Sequence, residues 1–269
     1  MIPIKEPWEL GVMRTAGRKL AEVVARLKEQ VAPDMMTRDI DALTESLIIE
    51  LGAKPAFKGY KPGRTPFPAT ICVSINEQVV HGIPSRRRLK ANDLVSLDFG
   101  LVFGGYYADT AYSFLVPPED ERSRALLDIT EKALYEAVSR ARPGNRIGDI
   151  GHTVQSLCEP KGFGVVTQMV GHGIGRRLHE EPSVPNFGKA GTGYPLTPGM
   201  VLAIEPMITL GTGRTKILND DWTVVTLDGS RCAHFEHTVA ITPSGPELLT
   251  VLDAKPDPMN RPPAGEERT

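Results

Sequence analysis

Residues 94–116 read LVSLDFGLVFGGYYADTAYSFLV, two apolar stretches joined by the pair Gly104–Gly105. Two glycines between runs of β-branched and aromatic residues are typical of a β-hairpin with a type I′ or II′ turn. A two-residue turn makes Phe103 the pairing partner of Tyr106, and this choice determines the register of every residue pair behind it. The segment therefore predicts a long antiparallel hairpin at the centre of the fold.

Two acidic side chains share one face of this predicted hairpin. The register places Asp98 opposite Ala111 and Asp109 opposite Gly100. The aspartates are then diagonal neighbours, with Cα atoms roughly 7–8 Å apart, and the glycine leaves room beside them. Carboxylates this close on a half-buried face repel each other unless a cation or a proton lies between them. The alternative is a pair of solvated surface aspartates, and the hairpin alone leaves both interpretations open.

The chain around the hairpin combines helices with further short strands. Apolar residues at helical spacing predict four helices, at residues 7–31, 37–51, 119–142 and 146–158. We expect Pro7 at the start of the first helix, Thr37 as the cap of the second and Gly52 just past its end. Residues 57–68 lack periodicity and are predicted to form a loop. Further strands are predicted at residues 69–81, 164–170, 200–210, 222–227 and 233–242.

A segment near the amino terminus is echoed 110 residues later. Pro33–Gly52 laid over Pro143–Gly162 gives six identical pairs: Pro33/Pro143, Asp39/Asp149, Ile40/Ile150, Ser46/Ser156, Leu47/Leu157 and Gly52/Gly162. A long predicted helix precedes each copy, and strands follow it. The echo predicts an α+β fold of two similar halves, with helices outside and strands meeting in the middle.

The composition of the 269 residues excludes several classes of protein. A hydrophobic share of 41% with 24% charged residues is ordinary for a globular chain, and 26 glycines with 23 prolines indicate many shaped loops. No apolar run approaches the roughly 20 residues of a membrane span, and the first residues do not resemble a secretory signal. A net charge of −2 argues against a dedicated nucleic-acid binder. Three cysteines without a C-x-x-C pair favour a reducing cytoplasm over a disulfide framework or a structural zinc site.

The second half of the chain offers further metal-ligand candidates. His172 lies between glycines after an apolar stretch, Glu205 ends an apolar strand, and Glu236 lies inside another. Any one of these is more often a hydrogen-bonded core residue or an exposed one. Together with the two hairpin aspartates, however, they form a set of four carboxylates and one imidazole. The four negative charges match two divalent cations, which favours a dinuclear hydrolytic centre.

Short motifs along residues 5–245 resemble the methionine aminopeptidase family. They are MRTAG (13–17), SINE (74–77), HGIP (81–84), Asp98 with DT (109–110), GHGIG (171–175), HEEP (179–182), IEP (204–206) and EHT (236–238). The resemblance implies a pita-bread fold, whose two pseudo-symmetric halves share a central antiparallel sheet beneath outer helices. The resemblance is to the short bacterial form of type I enzymes. We find no amino-terminal zinc-binding extension, and the stretch between His179 and Glu236 is too short for the insertion of type II enzymes.

The resemblance also implies roles for individual residues. Two divalent ions, whose identity as Co, Mn, Fe or Zn is left open, would be bound by Asp98, Asp109, His172, Glu205 and Glu236. Asp109 and Glu236 would bridge the ions, Asp98 would complete one, and His172 with Glu205 the other. Glu205 would also act as general base. His179 would stabilise the oxyanion, and His81 would contact the scissile amide or the substrate amine.

The methionine side chain would enter a small apolar pocket. The residues at matching positions are Tyr60, Phe67, Cys72 and Trp222, and aromatic edges suit a thioether. The chain departs from the family pattern in the loop at residues 57–68, which is about two residues longer. Phe57 and Leu178 also differ from the residues common at their positions, so the pocket is less firmly defined than the metal ligands.

The function implied is removal of the initiator methionine from nascent polypeptides with a small second residue. We expect a cytoplasmic monomer that binds nascent amino termini but neither DNA nor membranes, with a transient ribosome contact at the basic run 86–88. Residues 1–252 would form one catalytic domain and 253–269 a disordered proline-rich tail. An Xaa-Pro aminopeptidase or prolidase shares the five ligands behind a large amino-terminal domain, whereas a non-catalytic pita-bread binding protein would have lost some. Both alternatives remain open at this point.

Overall fold

The computed structural model describes residues 2–253 and contains four helices over that range. They are α1 (Pro7–Lys28), α2 (Thr37–Glu50), α3 (Glu121–Arg140) and α4 (Ile147–Cys158), the last followed by a 3₁₀ turn at Glu159–Lys161. All four lie where apolar spacing predicts them, with ends that differ by up to three residues. Among the described residues, no helix is both long enough and apolar enough to cross a membrane.

Fifteen short strands accompany the helices within residues 2–253. They are β1 (Lys54–Pro55), β2 (Ile71–Ile75), β3 (Gln78–Val80), β4 (Leu94–Phe103), β5 (Tyr106–Leu115), β6 (Gly164–Val165), β7 (Gly171–Gly173), β8 (Glu180–Val184), β9 (Val201–Ile204), β10 (Met207–Thr209), β11 (Thr215–Ile217), β12 (Val224–Thr226), β13 (Cys232–His234), β14 (Glu236–Thr242) and β15 (Gly245–Leu248). A nine-stranded sheet runs in the order β1-β4-β5-β14-β9-β7-β8, with β2 on β4 and β15 on β14. Two three-stranded sheets, β13-β10-β6 and β11-β12-β3, flank it.

The β4–β5 hairpin has the predicted register along its whole length. Phe103 pairs with Tyr106 and Asp98 with Ala111. Both turn glycines have positive φ, 58° at Gly104 and 79° at Gly105, as a type I′ turn requires. Because ten residue pairs follow from this one turn, the local signal was sufficient to determine the register.

The room expected beside the two aspartates is filled by a side chain of the protein. A Cβ placed on Gly100 would lie 2.5 Å from Cε1 of Phe57, so only glycine permits this approach. Phe57 is the first residue of the predicted loop, and its ring closes over the hairpin face. The glycine therefore serves packing of the loop, which narrows the space left for a ligand.

The two halves of the chain repeat the same local structure, which confirms the pseudo-symmetric α+β fold. Helix α2 starts at residue 37 and α4 at residue 147, the predicted offset. The residue before each helix, Met36 or Arg146, forms an isolated β-bridge to a later loop. Gly52 and Gly162, which follow the two helical segments, both have positive φ, at 69° and 84°.

Each pair of helices covers the apolar core of its own half. Leu20 of α1 and Ile48 of α2 are fully buried in one core cluster with Phe99 of β4. Helices α3 and α4 bury a second cluster with β9 and β14, in which Leu126 and Ile150 have no exposed surface. The outer helices thus hold the sheet rigid on the side away from its polar centre.

Several local predictions were wrong. Thr37 is the first helical residue rather than the cap, and Met36 occupies the cap position. The Thr37 hydroxyl instead accepts a hydrogen bond from the backbone N–H of Ser85 at 2.8 Å, which ties the helix to a distant loop. The strand predicted at 164–170 covers only residues 164–165, and β1, β7, β8, β11 and β15 were not predicted, because two- to five-residue strands carry little periodicity.

Three predicted strands are each interrupted within their span. The predicted strand 69–81 divides into β2 and β3 at residues 76–77, 200–210 divides into β9 and β10 at Glu205 and Pro206, and 233–242 divides into β13 and β14 at Phe235. Pro206 lacks the N–H that a central strand needs, so the strand ladder breaks at that residue. The predicted tail, apart from Asp253, lies outside the described residues.

Candidate metal centre

Five neighbouring strands of the central sheet each contribute one of the predicted metal ligands. In sheet order these are Asp98 on β4, Asp109 on β5, Glu236 at the start of β14, Glu205 directly after β9 and His172 within β7. The pairs Asp98–Ala111 and Glu236–Ala111 place the first and third carboxylates in one row across the sheet. Side chains in one row of paired strands lie on the same face, so the ligands converge although they span 139 residues of sequence.

The convergence brings donor atoms within metal-binding range. Ligand atoms of Asp109, His172 and Glu236 all lie within 4.8 Å of one another. Nε2 of His172 is 3.9 Å from Oδ2 of Asp109 and 3.7 Å from Oε1 of Glu205. Asp98 lies close enough to Asp109 and to the thiol of Cys72 for both groups to influence its pKa. All five residues therefore belong to one cluster.

The electrostatics of the cluster call for positive charge. Burial raises the pKa of Asp98 to about 7, and burial together with neighbouring carboxylates raises the pKa of Asp109, Glu205 and Glu236 well above their usual range. One buried oxygen on each of Asp98, Asp109 and Glu236 has no hydrogen-bond partner. Unpaired buried carboxylate oxygens together with one imidazole fit divalent cations as ligands. Bound cations would neutralise the carboxylates and give the unpaired oxygens a partner.

His172 has the protonation state that a metal ligand requires. Its Nδ1 lies 2.9 Å from the carbonyl oxygen of Gly173, and a carbonyl only accepts, so Nδ1 carries the proton. Burial lowers the pKa of His172 to about 3, which keeps the ring neutral. The lone pair of Nε2 therefore faces the carboxylates, oriented by the strand's own backbone. The imidazole lies inside β7, not after a strand as predicted.

Two threonines hold the backbone at the bridging candidates. The Thr110 hydroxyl donates to the carbonyl of Glu236 at 2.6 Å, and the Thr238 hydroxyl donates to the carbonyl of Asp109 at 2.7 Å. The N–H of Asp109 donates in turn to the Thr238 hydroxyl at 3.0 Å. Each threonine follows a candidate ligand by one or two residues and reaches across to the other strand, so β5 and β14 are locked where Asp109 and Glu236 meet.

A cavity of about 320 Å³ opens on the cluster, and all eleven predicted site residues line it. Its apolar wall includes Phe67 and Trp222, whose ring centroids are 5.1 Å apart in an edge-on arrangement. Burial and nearby carboxylates raise the pKa of the Cys72 thiol well above its usual value, so the sulfur stays protonated. Three lining residues were not assigned to the pocket from sequence: Phe57, Pro62 and Leu178. Their position in the 57–68 loop or beside His179 was the available signal.

The two predicted catalytic histidines both line this cavity. Nδ1 of His179 is 2.7 Å from the Tyr60 hydroxyl, and its ring centroid is 4.2 Å from that of His172. His81 has a left-handed backbone, with φ of 59°. The centroid of its ring lies 6.0 Å from that of Trp222, in an edge-on arrangement. Burial and the proximity of His179 lower the pKa of His81 to about 4, so this imidazole is neutral near pH 7.

One buried histidine at the cluster was not singled out from sequence. His234 is 2% exposed, and its Nε2 lies 3.7 Å from Oε2 of Glu205. Burial lowers its pKa to about 3. The available signal was spacing, because a residue two positions before Glu236 in an extended chain lies on the same face.

Comparison with known proteins identifies the class to which this fold and site belong. Residues 11–243 match the metallopeptidase family M24, and the chain belongs to that family. Methionine aminopeptidase 1 of Bacillus subtilis (strain 168) is 46% identical over 250 residues, 93% of this chain and 99% of that one. A crystal structure of methionine aminopeptidase from Thermotoga maritima matches with a TM-score of 0.90 at 44% identity, covering 93% and 100% of the two chains. Within the family, the chain therefore groups with the methionine aminopeptidases, as the sequence motifs indicated, and the expected class of metallo-exopeptidase is confirmed.

The proline-specific alternative shares the fold with lower similarity. Prolidase from Pyrococcus furiosus matches with a TM-score of 0.74 at 24% identity, over 92% of this chain and 65% of that one. At this identity the likeness shows the pita-bread fold alone. Both comparisons support the predicted fold class.

Proposed function

We propose that this chain removes the initiator methionine from nascent polypeptides whose second residue is small, with two divalent cations as cofactors. The observation that carries the proposal is the apolar cavity with Phe67, Cys72 and Trp222 on its wall, which opens directly on the buried carboxylate cluster. A polarisable thioether packs well against aromatic edges. The catalytic cluster would then face the first peptide bond.

The proposed ligand set assigns each cluster residue to one or both cations. Asp109 and Glu236 would bridge, Asp98 would complete one ion, and His172 with Glu205 the other. The unpartnered oxygens of Asp98, Asp109 and Glu236 support this assignment, as does the free lone pair of His172. When bound, the cations would supply Lewis-acid polarisation and lower the pKa of water.

Glu205 is assigned the proton transfers of the reaction. Its carboxylate would accept a proton from the attacking water and return it to the leaving amine. In the metal-free centre, burial raises the pKa of Glu205 well above its usual range. A bound cation would lower that pKa again, so the carboxylate could both accept and return the proton. Nε2 of His172 lies 3.7 Å from its Oε1, so the carboxylate reaches the centre of the cluster.

His179 and His81 are assigned to the substrate carbonyl and amide. The Tyr60 hydroxyl would donate to Nδ1 of His179, which leaves the proton on Nε2. That N–H would donate to the carbonyl oxygen as negative charge develops. His81, held edge-on to Trp222, would contact the scissile amide or the substrate amine. Because burial keeps both rings mainly neutral, each retains one donor and one acceptor nitrogen.

The cellular setting is part of the same proposal. Nascent amino termini emerge in the cytoplasm, where a monomer without DNA or membrane ligands could act on them. The exposed run Arg86, Arg87 and Arg88 suits a transient contact with ribosomal RNA. Reversing these three charges should weaken co-sedimentation with ribosomes, and unchanged co-sedimentation would contradict the contact.

A peptide assay tests the activity directly. Met-Gly-Met-Met and an Ala-Pro peptide would be offered to the chain with added Mn²⁺, Fe²⁺ or Co²⁺, and the released amino acids quantified. We expect free methionine and no alanine. Alanine without methionine would support the prolidase alternative, and no release from either peptide with any metal would support a non-catalytic binding protein.

A further inference from the structure

His234 is a buried polar side chain that the proposed reaction does not use. It is 2% exposed, and its Nε2 has no hydrogen-bond partner. Leaving a buried donor or acceptor unpaired costs roughly 1–3 kcal/mol. A buried imidazole with this energetic cost indicates that Nε2 of His234 gains a hydrogen-bond partner when cations occupy the site.

The nearest acidic atom to this nitrogen belongs to Glu205. Nε2 of His234 lies 3.7 Å from Oε2, while Nε2 of His172 lies 3.7 Å from Oε1 of the same carboxylate. Glu205 is thus placed between two imidazoles, one facing each oxygen. The lone pair of His172 is directed toward the cluster, so Oε1 of Glu205 is the oxygen on the metal-binding side. Oε2 of Glu205 is the oxygen next to His234.

The juxtaposition is built into the strand breaks. Strand β10 pairs with β13 through Met207 and His234, and β9 pairs with β14 through Ile204 and His237. The two ladders are joined where Glu205–Pro206 lies opposite Phe235–Glu236, with the Phe235 N–H directed at the Pro206 carbonyl at 3.4 Å. Both segments leave regular strand pairing at the same point, which brings Glu205 and His234 next to each other.

The backbone of His234 is held independently of its ring. Its N–H donates to the Ser113 hydroxyl at 2.9 Å, and that hydroxyl lies 2.8 Å from the His234 carbonyl, to which it donates. The same hydroxyl lies 2.7 Å from that of Ser96. Because β13 is anchored through its backbone, the imidazole can be replaced without removing the contacts that position the strand.

We propose that His234 is a positioning residue of the metal centre, whose Nε2–H donates a hydrogen bond to Oε2 of Glu205 and so holds Oε1 toward the cation. The inference rests on the proposed function only in taking Glu205 as a ligand. Carboxylates that bind metals are themselves hydrogen-bonded, and loss of such a partner typically lowers metal affinity 10–100-fold. The role requires a neutral ring with the proton on Nε2, whereas a sixth ligand would require the bare nitrogen there.

Metal titrations of matched variants test the role. Four metal-free proteins would each be titrated calorimetrically with Mn²⁺: the parent, His234→Leu, His234→Gln and Glu205→Ala. We expect His234→Leu to weaken binding of one cation about 10–100-fold, and His234→Gln, whose amide can donate, to stay within about threefold of the parent. His152→Leu removes an exposed histidine elsewhere and should bind Mn²⁺ as the parent does.

Each outcome of the titration has one meaning. Unchanged affinity in His234→Leu, or equal losses in the Leu and Gln variants, would overturn the donor role. Loss in Glu205→Ala with none in His234→Leu would overturn this inference and leave the proposed ligand set intact. If Glu205→Ala binds both cations as the parent does, the ligand assignment and the inference both fail.

A measurement on the unaltered protein removes dependence on variant folding. The chain labelled with ¹⁵N-histidine and loaded with diamagnetic Zn²⁺ would be examined by long-range ¹H–¹⁵N correlation spectroscopy. We expect the His234 signals to show a protonated Nε2 and a bare Nδ1. A bare Nε2 in the loaded protein would overturn the donor role.

Discussion

The Tyr60 hydroxyl lies 2.7 Å from Nδ1 of His179, so a side chain predicted to line the methionine pocket also hydrogen-bonds to a predicted catalytic imidazole. Tyr60 belongs to the 57–68 loop, which is anchored on its other side by the Trp222 indole N–H, a donor to the Thr65 carbonyl at 3.1 Å. The loop therefore connects the wall of the pocket to the orientation of His179.

Replacing Tyr60 with Phe should lower kcat with little change in KM. The variant retains the ring that lines the pocket but removes the hydroxyl that holds His179. One hydrogen bond of about 1 kcal/mol corresponds to roughly a fivefold loss. Steady-state kinetics on Met-Gly-Met-Met would measure this, with Tyr194→Phe, an exposed ring remote from the cavity, as the control. A rise in KM at constant kcat would assign Tyr60 to substrate binding alone.

Replacing Asp109 with Ala should abolish turnover and weaken metal binding. Asp109 is 5% exposed and shares the donor cluster with His172 and Glu236, so its loss removes a proposed bridge between cations. Metal content after dialysis and peptide kinetics would be measured together. Asp128→Ala, an exposed acid on α3, serves as the control and should behave as the parent. Activity of Asp109→Ala within tenfold of the parent would mean that the centre is wrongly assigned.

Cation binding should release protons and weaken as the pH falls. The metal-free centre holds protons because burial raises the pKa of Asp98 to about 7. Burial and neighbouring carboxylates also raise the pKa of Asp109 well above its usual range. A cation must displace these protons, so Mn²⁺ affinity should decrease from pH 8 to pH 5. Calorimetry in two buffers of different ionisation enthalpy gives the number of protons released. A release no greater at pH 6 than at pH 8 would contradict the raised pKa values.

Asp98→Asn should change the stability of the metal-free protein in a pH-dependent way. The pKa of Asp98 is about 7 when folded, against 3.8 as the reference value, so between those values the folded state holds a proton that the unfolded state has lost. Its stabilising contribution is therefore complete below about pH 4 and is lost as the pH rises toward 7.

The asparagine variant lacks this titration, so its Tm minus that of the parent should increase from pH 4 to pH 7 and then level off. Calorimetric melts with a chelator present would measure the difference. With Mn²⁺ added, the parent should gain Tm and the variant should gain much less. A difference that is constant over this pH range would contradict the prediction.

The buried ion pair between Lys5 and Glu180 should be a major contributor to stability near the site. Their side chains are 5% and 4% exposed, and Nζ lies 2.7 Å from Oε2. Lys5→Met leaves a buried carboxylate without its partner, a change worth about 3–5 kcal/mol. Denaturant melts should show this loss and partial recovery in Lys5→Met/Glu180→Gln.

The control for that pair lies on the surface. Arg26 and Glu50 form a bidentate pair with side chains that are 35% and 58% exposed, so Arg26→Ala should change the melt little. Glu180 follows His179, and Lys5→Met should also lower kcat. Equal effects of the buried and exposed variants on stability would show that burial does not distinguish the two pairs.

Local signals in the sequence were sufficient for the hairpin and for the repeat. The turn glycines determined the register of β4 and β5, because a two-residue turn leaves one pairing and each further pair follows from it. The repeat at an offset of 110 residues predicted the positions of α2 and α4, because the two segments have matching starts and each ends at a glycine. The convergence of the five metal-ligand candidates was accessible through family motifs, whereas spacing alone related only Asp98 to Asp109.

The tertiary structure alone decided the contacts between distant segments. Glu205 meets His234 because Pro206 and Phe235 interrupt two paired strands at one point, and no local pattern reports that the breaks coincide. Tyr60 meets His179 because an irregular loop packs over the hairpin, with Phe57 against Gly100. The sequence by itself thus determined the four helices, the hairpin register and the class of chemistry. The packing of loops and strand breaks, which depends on residues more than 20 positions apart, decided how each site side chain is oriented.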